Sequence, residues 1–192
     1  MRFRPAVLLL ALLLPPSLPD LLEAQEETTV VFLVRHAERA DDGEGAQRMA
    51  DDPQMAMMLE DPPLSDEGRI RASLLAEMLR DSGITQVHST DYRRTRETGA
   101  PTAEEVGVDM AVYDASDLAA FAETLRSMPG RHLVVGHSNT TPALVQALGG
   151  DPGSPIESLE YDRLYIVTLD GSRVSTVLLR FGQRFQGSGS SH

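Results

Sequence analysis

Apolar residues gather in short continuous runs along this chain, and these runs predict the strands of a sheet. Val30 to Val34 and His132 to Val135 are rich in β-branched side chains, which is typical of strands buried on both faces of a parallel sheet. Shorter runs of the same kind lie at 86–89 and 110–113. The pattern therefore predicts four strands of a mostly parallel sheet.

Apolar residues that recur at helical spacing predict four helices between and after these strands. The first begins at Ser65 as its N-cap and places five apolar side chains on one face, namely Ile70, Leu74, Leu75, Met78 and Leu79. The second spans 92–106 and contains Pro101, which is expected to bend it. The third begins at Ser116, and the fourth runs over 139–148.

A turn signal near the C-terminus predicts a hairpin. Asp170 and Gly171 separate the apolar segments 164–169 and 174–181, a pattern that favours two antiparallel strands at the edge of a sheet. Together with the upstream alternation of strands and helices, it predicts an α/β fold. We expect a three-layer α/β/α sandwich whose sheet is mostly parallel, with an antiparallel C-terminal hairpin or edge strand.

The first 24 residues have the pattern of a secretory signal peptide. Arg2 and Arg4 precede an unbroken apolar run of nine residues at 6–14, and Ala24 ends the segment with the small residue of a cleavage site. A bilayer needs about 20 apolar residues, so cleavage is favoured over the alternative of an uncleaved membrane anchor. The expected organisation is a signal peptide at 1–24, a globular domain at 25–185 and a Gly/Ser-rich flexible tail at 186–192.

Composition narrows the classes of partner. The chain has a formal net charge of −12 and no cysteine, which argues against nucleic acid or an anionic membrane surface as the main partner and excludes a lipid anchor on cysteine. A site for an anion must then be built locally, from a few converging arginines. Neither a metal nor a cofactor is expected, because no histidine or cysteine cluster has metal-ligand spacing.

Four short segments carry most of the residues capable of chemistry. Arg35-His36-Ala37-Glu38 follows the first strand and Gly136-His137-Ser138 follows the fourth, and ligands bind at this end of open α/β sheets. Leu64 to Gly68 opens the first helix, and Ser89 to Thr98 opens the second. In this order the four segments resemble the histidine phosphatase superfamily, which includes the phosphoglycerate mutases, and its small members without a large cap. The resemblance covers residues 28–182.

The resemblance implies a site in which an imidazole carries a phosphoryl group. A phosphomonoester dianion resists attack, so a catalyst must neutralise its oxygens and place a nucleophile in line. Neutral imidazole is a competent nucleophile near pH 7, and arginine donates bidentately to phosphate. By resemblance, His36 is the nucleophile and forms a phosphohistidine that water hydrolyses. Arg35, Arg94 and His137 are implied to hold the phosphoryl oxygens.

Spacing selects Arg94 over Arg93 within the third segment. The family pattern places its arginine four residues before a threonine, here Thr98. Arg93 is then expected on the helix surface or in contact with the substrate. The chain departs from the family pattern with Thr95 and Gly99, where alanines usually stand, and neither change removes a functional group.

Asp114 is the candidate general acid for the leaving oxygen. The mutase-like branch of the family uses a glutamate near the end of the third strand, where this chain has Asp114 and Asp117. The phytase-like branch uses an aspartate directly after the second histidine, where this chain has Ser138. The alternative for Asp114 is an Asx cap of the helix that starts near Ser116.

The remaining candidates are expected to contact substrate or to support the site. Glu38 is expected to orient His36 or Arg35 by a hydrogen bond, or else to cap a turn. Ser138 and Asn139 are expected to cap the fourth helix, whose N-terminal dipole favours an anion. The acidic, methionine-rich segment 40–63 is expected to overhang the site, either as a lid that selects substrates or as a surface loop.

The combined expectation is a metal-independent phosphatase, exported to the periplasm or secreted, that acts through a phosphohistidine on His36. Its partner would be a phosphorylated small molecule or a phosphoprotein, with no stable membrane insertion after cleavage. The alternatives are a catalytically weak domain that binds phosphate or a phosphoprotein, and a phosphomutase, which export disfavours. A neutral His36 and a protonated His137 are opposed requirements, which predict a bell-shaped pH profile.

Overall fold

The computed structural model describes residues 28–43, 45–51 and 60–187 of the chain. The strands are β1 Thr29–Arg35, β2 Gln86–Ser89, β3 Met110–Val112, β4 Gly130–Gly136, β5 Arg163–Asp170 and β6 Arg173–Arg180. The helices are α1 Gly45–Asp51, α2 Asp66–Leu79, α3 Arg93–Val106, α4 Leu118–Arg126 and α5 Thr140–Ala147. These bounds agree with the predicted elements to within about two residues at most ends, except that α1 was not predicted and lies in the segment 40–63 that was expected to be a lid or a surface loop.

The strands form one mixed sheet in the order β3-β2-β4-β1-β5-β6. β1, β2, β3 and β4 pair in parallel, whereas β5 and β6 are antiparallel to their neighbours. The predicted α/β class and the antiparallel C-terminal hairpin are confirmed. β1 and β4, the two strands that precede the histidine motifs, lie side by side, and Arg35 is paired with Gly136.

Helices cover both faces of the sheet, which gives the three predicted layers. Alternate residues of a strand face opposite sides, and each side has its own apolar core. On one side Val31 and Leu33 pack with α4 and α5 through Phe121, Leu125, Leu144 and Val145. On the other side Phe32 and Val34 pack with α2 and α3 through Leu75, Leu79 and Ala103. The loops after β1 and β4 emerge between these layers.

Helix α2 begins as predicted but buries a different face. Ser65 is its N-cap, and its hydroxyl accepts a hydrogen bond from the Gly68 amide at 3.1 Å. The predicted apolar face is wrong in part, because Ile70 and Met78 are exposed. The buried positions are Gly68, Arg71, Ala72, Leu75, Ala76 and Leu79.

Three further expectations concern helix ends and the termini. Pro101 lies inside α3, and α4 is capped by Asp117, one residue after the predicted Ser116. The predicted signal peptide at 1–24 and the last five residues of the predicted tail lie outside the described residues. Within the described ranges, no helix is both long enough and apolar enough to cross a bilayer.

Candidate active site

Two neighbouring strands, β1 and β4, each deliver a histidine just beyond their C-terminal ends. The His36 amide donates to the Gly136 carbonyl at 2.8 Å, and the ring centroids of His36 and His137 are 5.4 Å apart. Glycine is needed at this crossing, because a Cβ on Gly136 would lie 2.9 Å from both the Tyr113 hydroxyl and the Thr140 hydroxyl. The sheet thus joins two imidazoles that are far apart in the sequence.

An open cavity of about 410 Å³ has both imidazoles in its wall. This volume lies within the range typical of small-molecule sites. Six residues singled out from the sequence line it, together with four that were not. The six are Arg35, His36, Arg94, His137, Ser138 and Asn139, and the four are Arg39, Tyr92, Ala115 and Thr140.

His36 is held as a neutral imidazole with one nitrogen free to attack. Its Nδ1 lies 2.8 Å from the Ala37 carbonyl oxygen, and a carbonyl only accepts, so Nδ1 carries the proton and Nε2 keeps its lone pair. Burial, together with Arg35, His137 and Arg94, lowers the pKa of His36 to about 2. His36 is therefore a neutral base across the physiological pH range.

Thr98, the threonine of the third segment, fixes the backbone that orients His36. Its hydroxyl accepts from the Ala37 amide at 3.0 Å and donates to the Arg94 carbonyl at 2.7 Å. The hydroxyl therefore ties α3 to the residue whose carbonyl holds His36 Nδ1. These two hydrogen bonds explain why the motif has a threonine at this position.

Arg35 presents a buried donor that no described residue satisfies. Its Nη1 donates to the Glu157 and Glu160 carbonyls at 2.9 and 3.1 Å, and its guanidinium carbon lies 4.0 Å from the centroid of the Tyr161 ring. Its Nε is buried and has no hydrogen-bond partner among the described residues. An unpaired buried donor is costly, and a bound anion is one group that can satisfy it.

Arg94, which also lines the cavity, has the same feature. Its guanidinium carbon lies 4.2 Å from the Tyr92 ring centroid, and its Nη1 lies 3.5 Å from Asp61 Oδ1. Its Nε is also buried without a partner in the described part of the chain. Burial and the nearby Arg39 guanidinium lower the pKa of Arg94, which shows that the cavity concentrates positive charge.

The His137 ring forms a hydrogen bond with the Thr90 hydroxyl and is also neutral. Its Nε2 lies 3.0 Å from the Thr90 Oγ1, and its amide donates to the Thr140 hydroxyl at 2.9 Å. Burial, with Arg94 and Arg35, lowers the pKa of His137 to about 4. The expected protonated His137 is therefore not the state of the anion-free cavity at neutral pH.

The residues of this cavity match a known family of phosphoryl-handling proteins. A model of the histidine phosphatase superfamily (branch 1) matches residues 31–119, a region that contains His36 and Arg94 and ends before His137. Residues 31–119 of this chain are therefore similar to the histidine phosphatase superfamily. Comparison with curated protein sequences gives no match.

Several solved structures share this fold. Mycobacterial glucosyl-3-phosphoglycerate phosphatase Rv2419c is 16% identical, with a TM-score of 0.56 over 80% of this chain and 98% of that one. A mycobacterial protein described as hydrolase 1 is 17% identical, with a TM-score of 0.55 over 82% and 100%. The protein histidine phosphatase SixA in complex with tungstate is 23% identical, with a TM-score of 0.54 over 79% and 96%.

Asp114 is not placed to act as the general acid. It is fully exposed, it lies outside the wall of the 410 Å³ cavity, and its carboxylate accepts from the Ser116 amide at 2.8 Å. That bond lowers the pKa of Asp114, so the group is ionised at neutral pH and has no proton to give. The structure corrects this expectation in favour of the Asx-turn alternative.

Glu38 and Arg93 are also corrected as substrate contacts. The Glu38 carboxylate is bound by Arg71, whose Nη2 lies 2.6 Å from Oε1 and whose Nε lies 2.9 Å from both oxygens. Glu38 therefore anchors α2 instead of orienting His36, and it lines a separate cavity of about 740 Å³. Arg93 pairs with Glu97 at 2.6 Å on the surface of α3 and does not line the His36 cavity.

Ser138 and Asn139 reach the cavity wall, but the expected side-chain cap is not made. Asn139 occupies the N-cap position of α5 without a side-chain capping hydrogen bond. The Thr140 hydroxyl instead accepts from the His137 amide. Asn139 and Ser138 thus stand beside the two histidines at the start of the helix.

Sequence reasoning missed Arg39 and Tyr92, which both line the cavity. Arg39 directly follows the first motif, and its Nε lies 2.9 Å from Asp41 Oδ1. The one sequence feature that could have indicated Arg39 is its position as a basic residue directly before the acidic segment 40–63. Tyr92 contacts the His137 ring edge to face, with centroids 5.2 Å apart. Its only signal was its position two residues before Arg94.

Two described histidines, His88 on β2 and His132 on β4, lie outside the four motif segments and have structural positions. His88 and His132 are buried between β2 and β4, with His88 Nε2 lying 3.2 Å from His132 Nδ1. Neither lines the His36 cavity. Across residues 28–43, 45–51 and 60–187, no group of three or more His, Cys, Asp or Glu side chains is placed to hold a metal ion.

Proposed function

We propose that the protein is an exported, metal-independent phosphatase that hydrolyses a phosphomonoester or a phosphoprotein through a phosphohistidine on His36. One observation carries the proposal. His36, with an unprotonated Nε2, lines the same cavity as Arg35 and Arg94, and each of these two arginines keeps a buried Nε without a partner among the described residues. A nucleophile beside two unsatisfied guanidinium donors is what phosphoryl transfer requires.

The geometry supports a two-step reaction. The Nε2 lone pair of His36 attacks phosphorus, the ester P–O bond breaks, and the leaving oxygen takes a proton. Water then attacks the phosphohistidine, the N–P bond breaks, and inorganic phosphate leaves with His36 restored as the neutral imidazole. Arg35 and Arg94 neutralise the phosphoryl oxygens in both steps, and the Ala37 carbonyl stabilises the positive charge that develops on the ring.

The similar solved structures support this chemistry. Two of the solved structures of the same fold are described as phosphatases, one acting on glucosyl-3-phosphoglycerate and one on protein histidine. Two structures hold the oxyanions tungstate and VO3, which resemble phosphate in shape and charge. The phosphorylated substrate of this chain is proposed to be of either class, a small molecule or a phosphoprotein.

Export is the part of the proposal that rests on residues 1–24. The basic start, the apolar run and Ala24 support cleavage by a signal peptidase. The test is expression of the full chain, cell fractionation and N-terminal sequencing of the product. A mature protein outside the cytoplasm beginning at Gln25 is expected, whereas an intact chain in the cytosolic fraction would contradict export.

The enzymatic test uses p-nitrophenyl phosphate with and without a metal chelator. We expect hydrolysis that the chelator does not change, and an acid-labile phosphoryl label on His36 after rapid quenching. His36→Ala should abolish both turnover and labelling while the circular dichroism spectrum stays unchanged. Near wild-type turnover by this variant would show that His36 is not the nucleophile.

One observation favours the second candidate function, a domain that binds phosphate with little turnover. In the described part of the chain, no carboxylate lines the cavity, and Asp114 is exposed and ionised. The same assay separates the candidates. Stoichiometric binding of phosphate without turnover of any aryl phosphate would establish the binding domain.

A further inference from the structure

Hydrogen bonds link three side chains, those of Thr95 on α3, Thr90 and His137. Thr95 Oγ1 lies 2.9 Å from Thr90 Oγ1, which lies 3.0 Å from His137 Nε2. Both threonines are buried, Thr95 completely. Thr95 stands where the superfamily pattern usually has alanine, so this hydroxyl is a feature of this chain and not of the motif.

The direction of these hydrogen bonds is fixed by backbone carbonyls. Thr95 Oγ1 lies 2.7 Å from the Tyr92 carbonyl and 2.9 Å from the Thr90 carbonyl. Carbonyls only accept, so the single Thr95 proton must point at them, because otherwise oxygen lone pairs would face each other. Thr95 Oγ1 can then only accept from Thr90. Because the Thr90 hydroxyl donates its one proton to Thr95 Oγ1, Thr90 Oγ1 must accept a hydrogen bond from His137 Nε2.

We propose that the Thr95–Thr90 hydroxyl pair locks His137 as the Nε2–H tautomer, so that binding of a phosphoryl dianion draws a proton onto His137 Nδ1. This inference rests on the proposed function and deepens it. Nδ1 has no hydrogen-bond partner among the described residues and is not a buried atom. A neutral Nδ1 can offer an anion only a lone pair, which repels it, whereas a protonated Nδ1 donates to it.

The charges around His137 explain why the proton arrives with the anion. The titratable or charged groups that face its ring are His36, Arg35, Arg94 and Tyr92. Burial and the two guanidinium groups oppose a positive charge on the ring, so His137 stays neutral when no anion is bound. A bound dianion offsets their charge, so the Nδ1 proton becomes favourable only in the complex.

The captured proton also has a use in the reaction. When the His36 Nε2–P bond forms and the ester P–O bond breaks, the leaving oxygen takes this proton, and His137 returns to its neutral form. Solvent supplies the proton when substrate binds, and no oxidant or other reactant is needed. His137 would thus act as the proton donor that Asp114 is not placed to be.

Calorimetric titration with tungstate measures the linkage directly. Tungstate is a dianion near neutral pH, so any proton taken up comes from the buffer. Titrations in buffers of different ionisation enthalpy then give the number of protons per tungstate. Wild-type protein should take up protons, approaching about one per anion. His137→Gln should bind more weakly and take up none.

The Thr95→Val variant separates tautomer control from a merely structural role. Without the Thr95 oxygen, the Thr90 proton turns to His137 Nε2, and the ring switches to the Nδ1–H tautomer, which can donate without taking up a proton. Tungstate should still bind, but with proton uptake lost. Thr95→Ser should keep the uptake. Thr102→Val is the matched control, because Thr102 is a buried threonine of α3 whose hydroxyl has no partner among the described residues.

Kinetics give a second readout. Thr95→Val should lower kcat about tenfold with KM nearly unchanged, and the loss should grow from p-nitrophenyl phosphate to alkyl phosphates, whose leaving oxygens need the proton more. Wild-type proton uptake in Thr95→Val, or no uptake by wild-type protein that binds tungstate, would overturn the inference. Failure of wild-type protein to bind tungstate or to turn over any phosphate would instead overturn the proposed function.

Discussion

His36 owes its reactivity to its immediate neighbours. The Ala37 carbonyl decides which nitrogen carries the proton, and burial beside Arg35 and Arg94 keeps the ring neutral. Burial, with the same arginines, keeps His137 neutral until an anion binds. At this scale the site is a neutral nucleophile surrounded by positive charge, and the phosphoryl dianion is the group that completes it.

The pH dependence of kcat/KM tests the state of the two imidazoles. An ordinary histidine protonates near pH 6.5, whereas the pKa values of His36 and His137 are lowered to about 2 and about 4. A lowered pKa means that the neutral form persists to lower pH. Turnover of p-nitrophenyl phosphate, measured from pH 3 to 9, should therefore be retained at pH 5, with the acid limb of the bell below it. A limb centred near pH 6.5 would show that the nucleophile is not shielded from protons.

Removal of the Arg94 side chain tests the anion site. Arg94 is 13% exposed and lines the cavity, whereas Arg96 of the same helix is 43% exposed and pairs with Asp91. Arg94→Ala should lower kcat/KM about a hundredfold to a thousandfold, as loss of a charged donor to a developing oxyanion does. Arg96→Ala is the matched control and should stay within about twofold, since exposed ion pairs contribute little. Equal losses in both variants would mean that general surface charge, and not the cavity, attracts the substrate.

Helix α2 shows how an element outside the cavity supports it. Arg71 of this helix binds the Glu38 carboxylate and also donates to the Phe181 and Gln183 carbonyls at 2.7 and 3.1 Å. The helix approaches the first motif so closely that a Cβ on Gly68 would lie 2.2 Å from the Glu38 carbonyl oxygen. One guanidinium therefore joins the motif, α2 and the segment after β6.

Loss of the Arg71 side chain should destabilise the protein strongly. Arg71→Leu leaves the Glu38 carboxylate, 21% exposed, without its partner and removes the donor to the Phe181 and Gln183 carbonyls, the first of which is buried. Removing one member of a buried pair should lower the free energy of unfolding by about 3 kcal/mol, measured by urea denaturation. Arg80→Leu breaks the exposed Arg80–Glu105 pair and should have little effect. If the two variants unfolded at the same urea concentration, Arg71 would not be the anchor described here.

The elements were predictable where hydropathy alone determines burial. β1 and β4 were found because all positions of their apolar runs except the partly buried Val30 are buried, and Ser65 was found because its hydroxyl caps a helix by a local rule. The buried face of α2 was found only in part, because burial of a charged Arg71 depends on a carboxylate 33 positions away. Asp114 was misplaced for a related reason, since the sequence gives its neighbourhood along the chain but not the direction of its side chain.

At the scale of the whole molecule, the two apolar cores on either side of the sheet enclose several histidines in neutral form. His88 Nε2 lies 3.2 Å from His132 Nδ1, and the His132 Nε2 lies 2.9 Å from the Met128 carbonyl, which can only accept. Burial lowers the pKa of His88 to about 4 and also lowers that of His132. With His36 and His137, this makes four imidazoles that the fold keeps from protonating.

These four histidines make the global stability depend on pH in one direction. Each binds a proton more readily in the unfolded chain, near pH 6.5, than in the folded one, so the unfolded state gains protons first as the pH falls. The free energy of unfolding should therefore be fully present above about pH 7 and should decrease steadily as the pH falls from about 6.5 towards 4. His88 alone, 4% exposed, accounts for about 3 kcal/mol of this loss.

The variant His88→Gln isolates that contribution, because a glutamine amide can still donate to His132 Nδ1 but cannot take up a proton. Urea unfolding at pH 7, 6, 5 and 4 should give a smaller loss of stability on acidification for His88→Gln than for wild type, even if the variant is less stable at pH 7. The slope of the unfolding free energy against pH, and not its absolute value, is the measurement, since the slope counts protons. Identical slopes for the two proteins, or a wild-type stability that rises on acidification, would show that the core does not hold its histidines neutral.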